Sequence, residues 1–275
     1  MLEEVIQFKG KQYGPTSIIL AGVHGDETSG VEAFKKMLPT LVIDRGRVLF
    51  GYGNPAAIAA NTRFTEANLN RMFKDDDLIE KSDKESCEYR RSQFLKKYLD
   101  QAEALLDIHA SSIPNTEAFA ICEANAKGIV EYLPVGLVVS GFDTVEPGGT
   151  DSYMNSTGKI GICLESGYIG DPRAMVVAED GISAFLKARG HMDNDVPARK
   201  QTYVRMYDLY ATKTDRFILS KDFENFEVVE AGQCIGIDGA EAVIAEKCSM
   251  ILFAHNCKKI GSEAFLLGEK KESLA

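Results

Sequence analysis

Two largely apolar runs, Ile18-Ile19-Leu20-Ala21-Gly22-Val23 and Leu105-Leu106-Asp107-Ile108, each run out into a histidine, His24 and His109. An apolar strand that ends in an ionisable group needs a reason. In a parallel sheet both strand ends open on the same edge, where open α/β folds place their ligands. His24 also begins His24-Gly25-Asp26-Glu27, which sets a nitrogen and a carboxylate at metal-ligand spacing. Two imidazoles and one carboxylate leave a fourth position on zinc open to water, whose pKa then falls to about 7. His24, Glu27 and His109 are therefore the expected ligands of one Zn2+ per chain, and ligand type favours zinc over iron or cobalt. Taken singly, each half of this set is weak. A solvated loop can hold His-x-x-Glu by chance, and a histidine at a strand end more often donates to a backbone carbonyl. The other two histidines, His191 and His255, sit among polar residues and read as surface groups.

The first two-thirds of the chain alternate strand-like and helix-like segments, the pattern of an α/β sheet flanked by helices. Strands are expected at 17–23, 48–52, 104–108, 118–122, 135–140 and 160–164. Thr28 is placed to cap a helix whose Val31, Phe34, Met37 and Leu38 recur at helical spacing. Ser82 or Asp83 would begin a second helix, carrying Cys87, Phe94, Leu95, Tyr98 and Leu99. A third runs from Pro172 to about Ala188, with Asp171 as its start signal and Gly190 as its stop. From Gly190 to Lys200 the chain turns polar, and short alternating segments follow, bounded by Gly, Asp and Asn. They predict a small all-β domain, a barrel or sandwich, over residues 200–275, after an α/β hydrolase domain over 1–195.

Composition narrows the partners. A formal net charge of −10 over 275 residues disfavours nucleic acid and anionic membrane, both of which attract basic patches. A small molecule is the better partner. No charged start with an apolar core and cleavage site is seen, and no apolar run approaches the roughly 20 residues of a membrane span. The expected location is the cytoplasm. The six cysteines lack the close pairing of a structural zinc knot and read as reduced and non-catalytic. A homo-oligomer stays open.

Past the second expected strand, Asn54-Pro55 leads to a loop holding Arg63, Asn68, Asn70 and Arg71. Planar guanidinium donors in an acidic chain suit a carboxylated substrate, bound through Arg63, Asn70 and Arg71. The plain alternative pairs both arginines with Asp75-Asp76-Asp77 on the surface. Glu165 closes the strand Ile160-Gly161-Ile162-Cys163-Leu164 and is the natural general base, able to take a proton from water and pass it to a leaving nitrogen. Its alternative is a solvated carboxylate at a strand end. Asp107 lies two residues before His109 and so on the same strand face, where it would either accept from a metal-bound imidazole or pair with a lysine.

In order along the chain, His24-Gly25-Asp26-Glu27-Thr28, Asn54-Pro55, Arg63, Asn68-Leu69-Asn70-Arg71-Met72-Phe73, Asp107-Ile108-His109 and Leu164-Glu165-Ser166-Gly167 resemble the succinylglutamate desuccinylase/aspartoacylase family, a branch of the zinc carboxypeptidase-like fold. The resemblance covers nearly the whole chain. It implies a mixed sheet flanked by helices, zinc on His24, Glu27 and His109, Glu165 as general base, and Arg63 as the group that polarises the scissile carbonyl and steadies its oxyanion. Asn70 and Arg71 would hold the substrate carboxylate, and the β-rich tail would narrow the entrance, with a tyrosine that contributes in some relatives and matches none identified here. Asn68 stands where the family usually has Asp, and no arginine occupies the stretch near Asn155, where Lys159 is the nearest cation. Both departures point to an N-acyl amino acid other than N-acetylaspartate. The expected activity is zinc-dependent hydrolysis of the amide bond of an N-acyl amino acid. A zinc metallocarboxypeptidase acting on small peptides is the nearest rival, and a metal-keeping binding protein without turnover is a more distant one.

Overall fold

A computed structural model describes residues 4–274. Its strands are β1 (Val5–Lys9), β2 (Gln12–Ala21), β3 (Arg45–Tyr52), β4 (Ala104–Ser111), β5 (Phe119–Cys122), β6 (Leu137–Ser140), β7 (Ile160–Tyr168), β8 (Thr202–Ala211), β9 (Phe217–Leu219), β10 (Glu227–Val229), β11 (Cys234–Asp238), β12 (Glu241–Ile244), β13 (Ser249–Leu252) and β14 (Glu263–Lys271). Its α-helices are α1 (Ser29–Met37), α2 (Pro55–Ala60), α3 (Cys87–Leu99), the single turns α4 (Lys127–Val130) and α5 (Phe142–Val145), α6 (Thr150–Ser156) and α7 (Pro172–Ala188).

Eleven strands form one mixed sheet in the order β1-β3-β2-β4-β7-β5-β6-β8-β14-β13-β10. At its centre β3, β2, β4 and β7 run parallel. Period-2 alternation assigns their two faces. Ile19, Ala21, Leu106, Ile108, Ile162 and Leu164 pack with Phe34 of α1 and with Ile182 and Phe185 of α7. Ile18, Leu20 and Leu105 face Leu95 and Leu99 of α3 and Met154 of α6. Burial on both faces explains why these strands read as apolar runs rather than as alternating ones. Asp107 and His109 follow Leu105 at steps of two, so they sit on the α3/α6 face.

Every named element after residue 200 is a strand. Hydrogen bonding nevertheless carries the large sheet across the polar linker, because β8 pairs in parallel with β6 and β14 then pairs with β8. Strands β12, β11 and β9 form a separate small sheet, around a core that includes Phe217, Ile235 and Phe265.

Several local expectations change. Strand β1, absent from the sequence-based list, pairs antiparallel with β3 at the sheet edge; half-exposed and only five residues long, it carries little apolar signal. The second helix begins at Cys87. Ser86 has extended backbone and its Oγ accepts from Tyr89 N, leaving Asp83–Glu85 as a separate 3-10 turn. Thr28 lies in helical geometry and makes no side-chain cap, whereas Asp171 caps α7 as expected, accepting from Arg173 N at 2.8 Å. His191 is fully buried rather than on the surface. Its Nδ1 lies 2.9 Å from Arg45 O and its Nε2 2.8 Å from Ser17 Oγ, so both ring nitrogens find partners and a polar group is held inside.

Glu88 of α3 has no exposed surface and accepts from the backbone N–H groups of Thr65, Glu66 and Ala67, from Thr65 Oγ1 and from Asn54 Nδ2. One carboxylate thereby pins the loop that carries Arg63 and Asn68. Burial opposes its charge, but these donors outweigh it and bring its pKa down from 4.5 to about 2. A depressed carboxyl contributes stability that is full above the unfolded value of 4.5 and is lost as pH falls toward the folded value. Glu88→Gln is expected to cost about 3 kcal/mol in urea unfolding at pH 7, and much less at pH 3.

Candidate metal centre and active site

Three strand ends deliver the site. His24 and Glu27 lie in the turn between β2 and α1, His109 lies near the end of β4, and Glu165 lies directly opposite His109 in the β4–β7 register. The 22–28 turn is drawn close to α2: a Cβ on Gly25 would stand 2.1 Å from the Ala57 carbonyl carbon, so only glycine fits. Gly25 N donates to Arg63 O at 3.2 Å, tying this turn to the arginine loop. Ser166 Oγ donates to His109 O at 2.8 Å and fastens β7 to β4 where their register shifts.

Glu27 sits at the centre. His24 Nδ1 lies 2.7 Å from its Oε1 and His109 Nδ1 lies 2.9 Å from its Oε2. Ala110 N donates to Oε2 at 3.1 Å, and Arg63 Nη1 donates to Oε1 at 3.0 Å. The outer ring nitrogens face oxygen acceptors. His24 Nε2 is 3.1 Å from Asn68 Oδ1, an oxygen that already accepts from Asn70 N. His109 Nε2 is 3.1 Å from Asp107 Oδ2. The Nδ1 atoms here face the Glu27 carboxylate; with a cation among them, the acceptors on the outer side would keep the ring protons on Nε2 and leave the Nδ1 lone pairs for the ion. One donor atom from each of His24, Glu27 and His109 lies within 4.8 Å of the others, and all three residues are buried. This donor chemistry, nitrogen and carboxylate with oriented imidazoles, fits a divalent ion such as zinc.

The charges follow the packing. Burial alone would raise the Glu27 carboxyl, but the two imidazoles outweigh it and hold it well below the usual range. Burial lowers His24. His109 is pushed down by burial and more strongly up by Asp107 and Glu27 on its two sides, so it ends well above the ordinary value. Glu165, 7% exposed, is raised to about 8 by burial and then by the neighbouring Glu27 charge. Its Oε2 is buried and has no hydrogen-bond partner among the described residues.

These groups line a cavity of about 760 Å³ together with Arg63, Asn70 and Arg71. Arg63 is half-exposed. Asn70 Oδ1 accepts from Thr150 N at 3.3 Å. Arg71 is engaged by Glu263 and Glu146 rather than by the Asp75–Asp77 run. Asp107 meets His109 and Thr150 Oγ1, not a lysine. Lys159 is spent on the carbonyls of Leu99 and Asp100 and lies outside the cavity lining. The far wall comes from residues 253–266, including Phe253 and Glu263, and no tyrosine lines the cavity among the described residues. Glu146 and Glu263 escaped the sequence reading, since neither lies near a motif.

The succinylglutamate desuccinylase/aspartoacylase catalytic domain matches residues 13–189. The chain belongs to this family. Succinylglutamate desuccinylase from Shewanella sp. (strain MR-4) is 25% identical over 300 residues, covering 96% of this chain and 83% of that protein. The enzyme of the same name from Shewanella woodyi is 26% identical over 296 residues, covering 95% and 84%. The solved structure of succinylglutamate desuccinylase from Vibrio cholerae superimposes with a TM-score of 0.82 at 22% identity, over 97% of this chain and 85% of that one. For this family member the mixed α/β architecture is thereby shared. No helix among the described residues is long and apolar enough to cross a membrane.

The raised Glu165 carboxyl makes a prediction for the metal-free protein. The unfolded chain ionises this group near 4.5 while the folded one keeps its proton to about 8, so the folded state binds more protons and loses stability as pH rises through that window. Metal-free Glu165→Gln is expected to melt above metal-free wild type at pH 8, with the gap closing near pH 4.5 in calorimetry.

Proposed function

We propose that this family member is a zinc-dependent amidohydrolase with a carboxypeptidase-like frame, which cleaves the amide bond of an N-acyl amino acid. The observation that carries this proposal is the meeting of His24, Glu27 and His109 beside an unpartnered, buried Glu165 in one cavity. His24, Glu27 and His109 would hold one zinc ion per chain. Bound there, zinc would supply Lewis acidity, acidifying water and polarising the amide carbonyl.

The side chains divide the remaining work. Glu165, buried and with its Oε2 free of any partner among the described residues, accepts the proton of the attacking water and returns it to the leaving nitrogen. Arg63, on the solvent side of Glu27, offers its guanidinium to the carbonyl oxygen as negative charge develops there. Asn70 and Arg71 line the part of the cavity that would receive the amino-acid carboxylate. Residues 1–195 would thus carry the chemistry, and residues 200–275 would supply the far wall and narrow the entrance.

Glu165→Gln is expected to lower kcat on the order of 10²–10⁴-fold while metal content stays at the wild-type level; near-normal turnover would remove Glu165 from the mechanism. Asp107→Asn should weaken metal affinity by about 10–100-fold, measured by competition with a chelator. Succinyl, acetyl and formyl amino acids assayed beside short peptides separate the two hydrolytic activities: cleavage confined to peptides would favour the carboxypeptidase.

A further inference from the structure

Cys163 lies two residues before Glu165 on β7, so the two side chains share the α3/α6 face of that strand, and both line the cavity. The neighbouring β4 sets His109 opposite Glu165 and Asp107 opposite Cys163. One ligand atom from each of His109, Cys163 and Glu165 lies within 4.8 Å of the others, and all three residues are buried. These residues make a second triad, of nitrogen, sulfur and oxygen, that shares only His109 with the first. Glu165 Oε2 has no partner among the described residues, whereas the oxygens of Glu27 are met by His24, His109, Ala110 and Arg63. Cys163 forms no disulfide. Ile121 stands directly across from it on β5 and packs with Phe119 and Phe142 around it. A third mixed group, Glu66, Cys87 and Glu88, lacks such an opening, because the Glu88 carboxylate is already filled by donors from the arginine loop and Glu66 is exposed.

Softness separates the two triads. A sulfur ligand favours thiophilic ions, while two imidazoles and a carboxylate suit zinc. Thiolate and carboxylate together also cancel the charge of a divalent ion in a buried setting, where Glu27 alone cancels half of it. Burial, and then Glu165 and the carboxyls of Asp151, Asp107 and Glu27, push the Cys163 thiol well above its ordinary value, so it holds its proton until an ion arrives. Coordination breaks the S–H bond, sends the proton to solvent and gives the freed electron pair to the metal. His109 has one lone pair to offer, since its Nε2 lies 3.1 Å from Asp107 Oδ2. Both triads cannot be filled at once. We propose that His109, Cys163 and Glu165 form a second, overlapping site for a thiophilic divalent cation, exclusive with occupation of His24, Glu27 and His109. An ion held there also takes the carboxylate assigned above to proton transfer, so it does not stand in for zinc in turnover. The exclusivity rests on the zinc assignment proposed above; the thiolate site does not.

Cadmium is the probe. The full chain, stripped of metal, is titrated with Cd2+ while thiolate-to-cadmium charge transfer is followed in the ultraviolet. The band is expected to saturate at about one ion per chain, to vanish in Cys163→Ser and to persist in Cys87→Ser. Cd2+ affinity should fall about tenfold or more in Cys163→Ser, and Cys163→Ala gives the same reading should the serine variant fail to fold. A further measurement needs no variant: when Cd2+ is added to zinc-loaded wild type, zinc is expected to leave one for one as the band grows, read with a zinc-binding dye. No band at saturation, a band kept without Cys163, or one lost with Cys87 overturns the thiolate site. Zinc retained in full while the band develops overturns the exclusivity. A chain that shows the band with Cd2+ but takes up no zinc upholds the thiolate site and removes the zinc assignment instead.

Discussion

Everything in the site depends on one buried carboxylate being wedged between two imidazoles. Glu27 receives His24 from its own turn and His109 from β4, with Ala110 N and Arg63 closing the remaining lone pairs. Such a group is costly to bury unless every oxygen has a partner. The partners come from parallel strands in fixed register, Ala21 against Ile108 and His109 against Glu165. A slip of one residue would turn Asp107 and His109 to the α1/α7 face and leave Glu27 with half its contacts. The apolar helices packed on both faces therefore hold the register on which the chemistry depends.

Outer contacts complete the arrangement. Asn68 and Asp107 take the Nε2 sides of the two histidines, Thr150 holds Asp107, and Glu88 holds the loop in which Asn68 lies. Of these four only Asn68 lines the cavity; Asp107, Thr150 and Glu88 stand behind it and act, directly or through one another, on residues that do. A site built on strand ends, with its loop pinned by a buried carboxylate, is rigid where geometry matters. The arginine loop remains half-exposed at Arg63, one of the residues that line the cavity.

Much of this was legible in the sequence, and the reason is range. His24 and Glu27 lie three residues apart after a strand, and His109 and Glu165 each close an apolar run, so local pattern alone marked them. Asp107 was visible through period-2 alternation, although its choice of His109 over a lysine was not. What pattern could not show was pairing across the chain. Arg71 and Glu263 are 192 residues apart, and they meet because β14 joins β8 and β8 joins β6, an event with no local signature. His191 was misread for the opposite reason: its sequence neighbours are polar, but the ring finds Arg45 O and Ser17 Oγ inside the fold.

Metal analysis of the purified chain, wild type beside His109→Ala, tests the central claim most directly. The account predicts about one zinc per wild-type chain and a loss of most of it in the variant while circular dichroism keeps the α/β signature. Wild-type protein that takes up no stoichiometric divalent ion, or a variant that retains its metal in full, would contradict it.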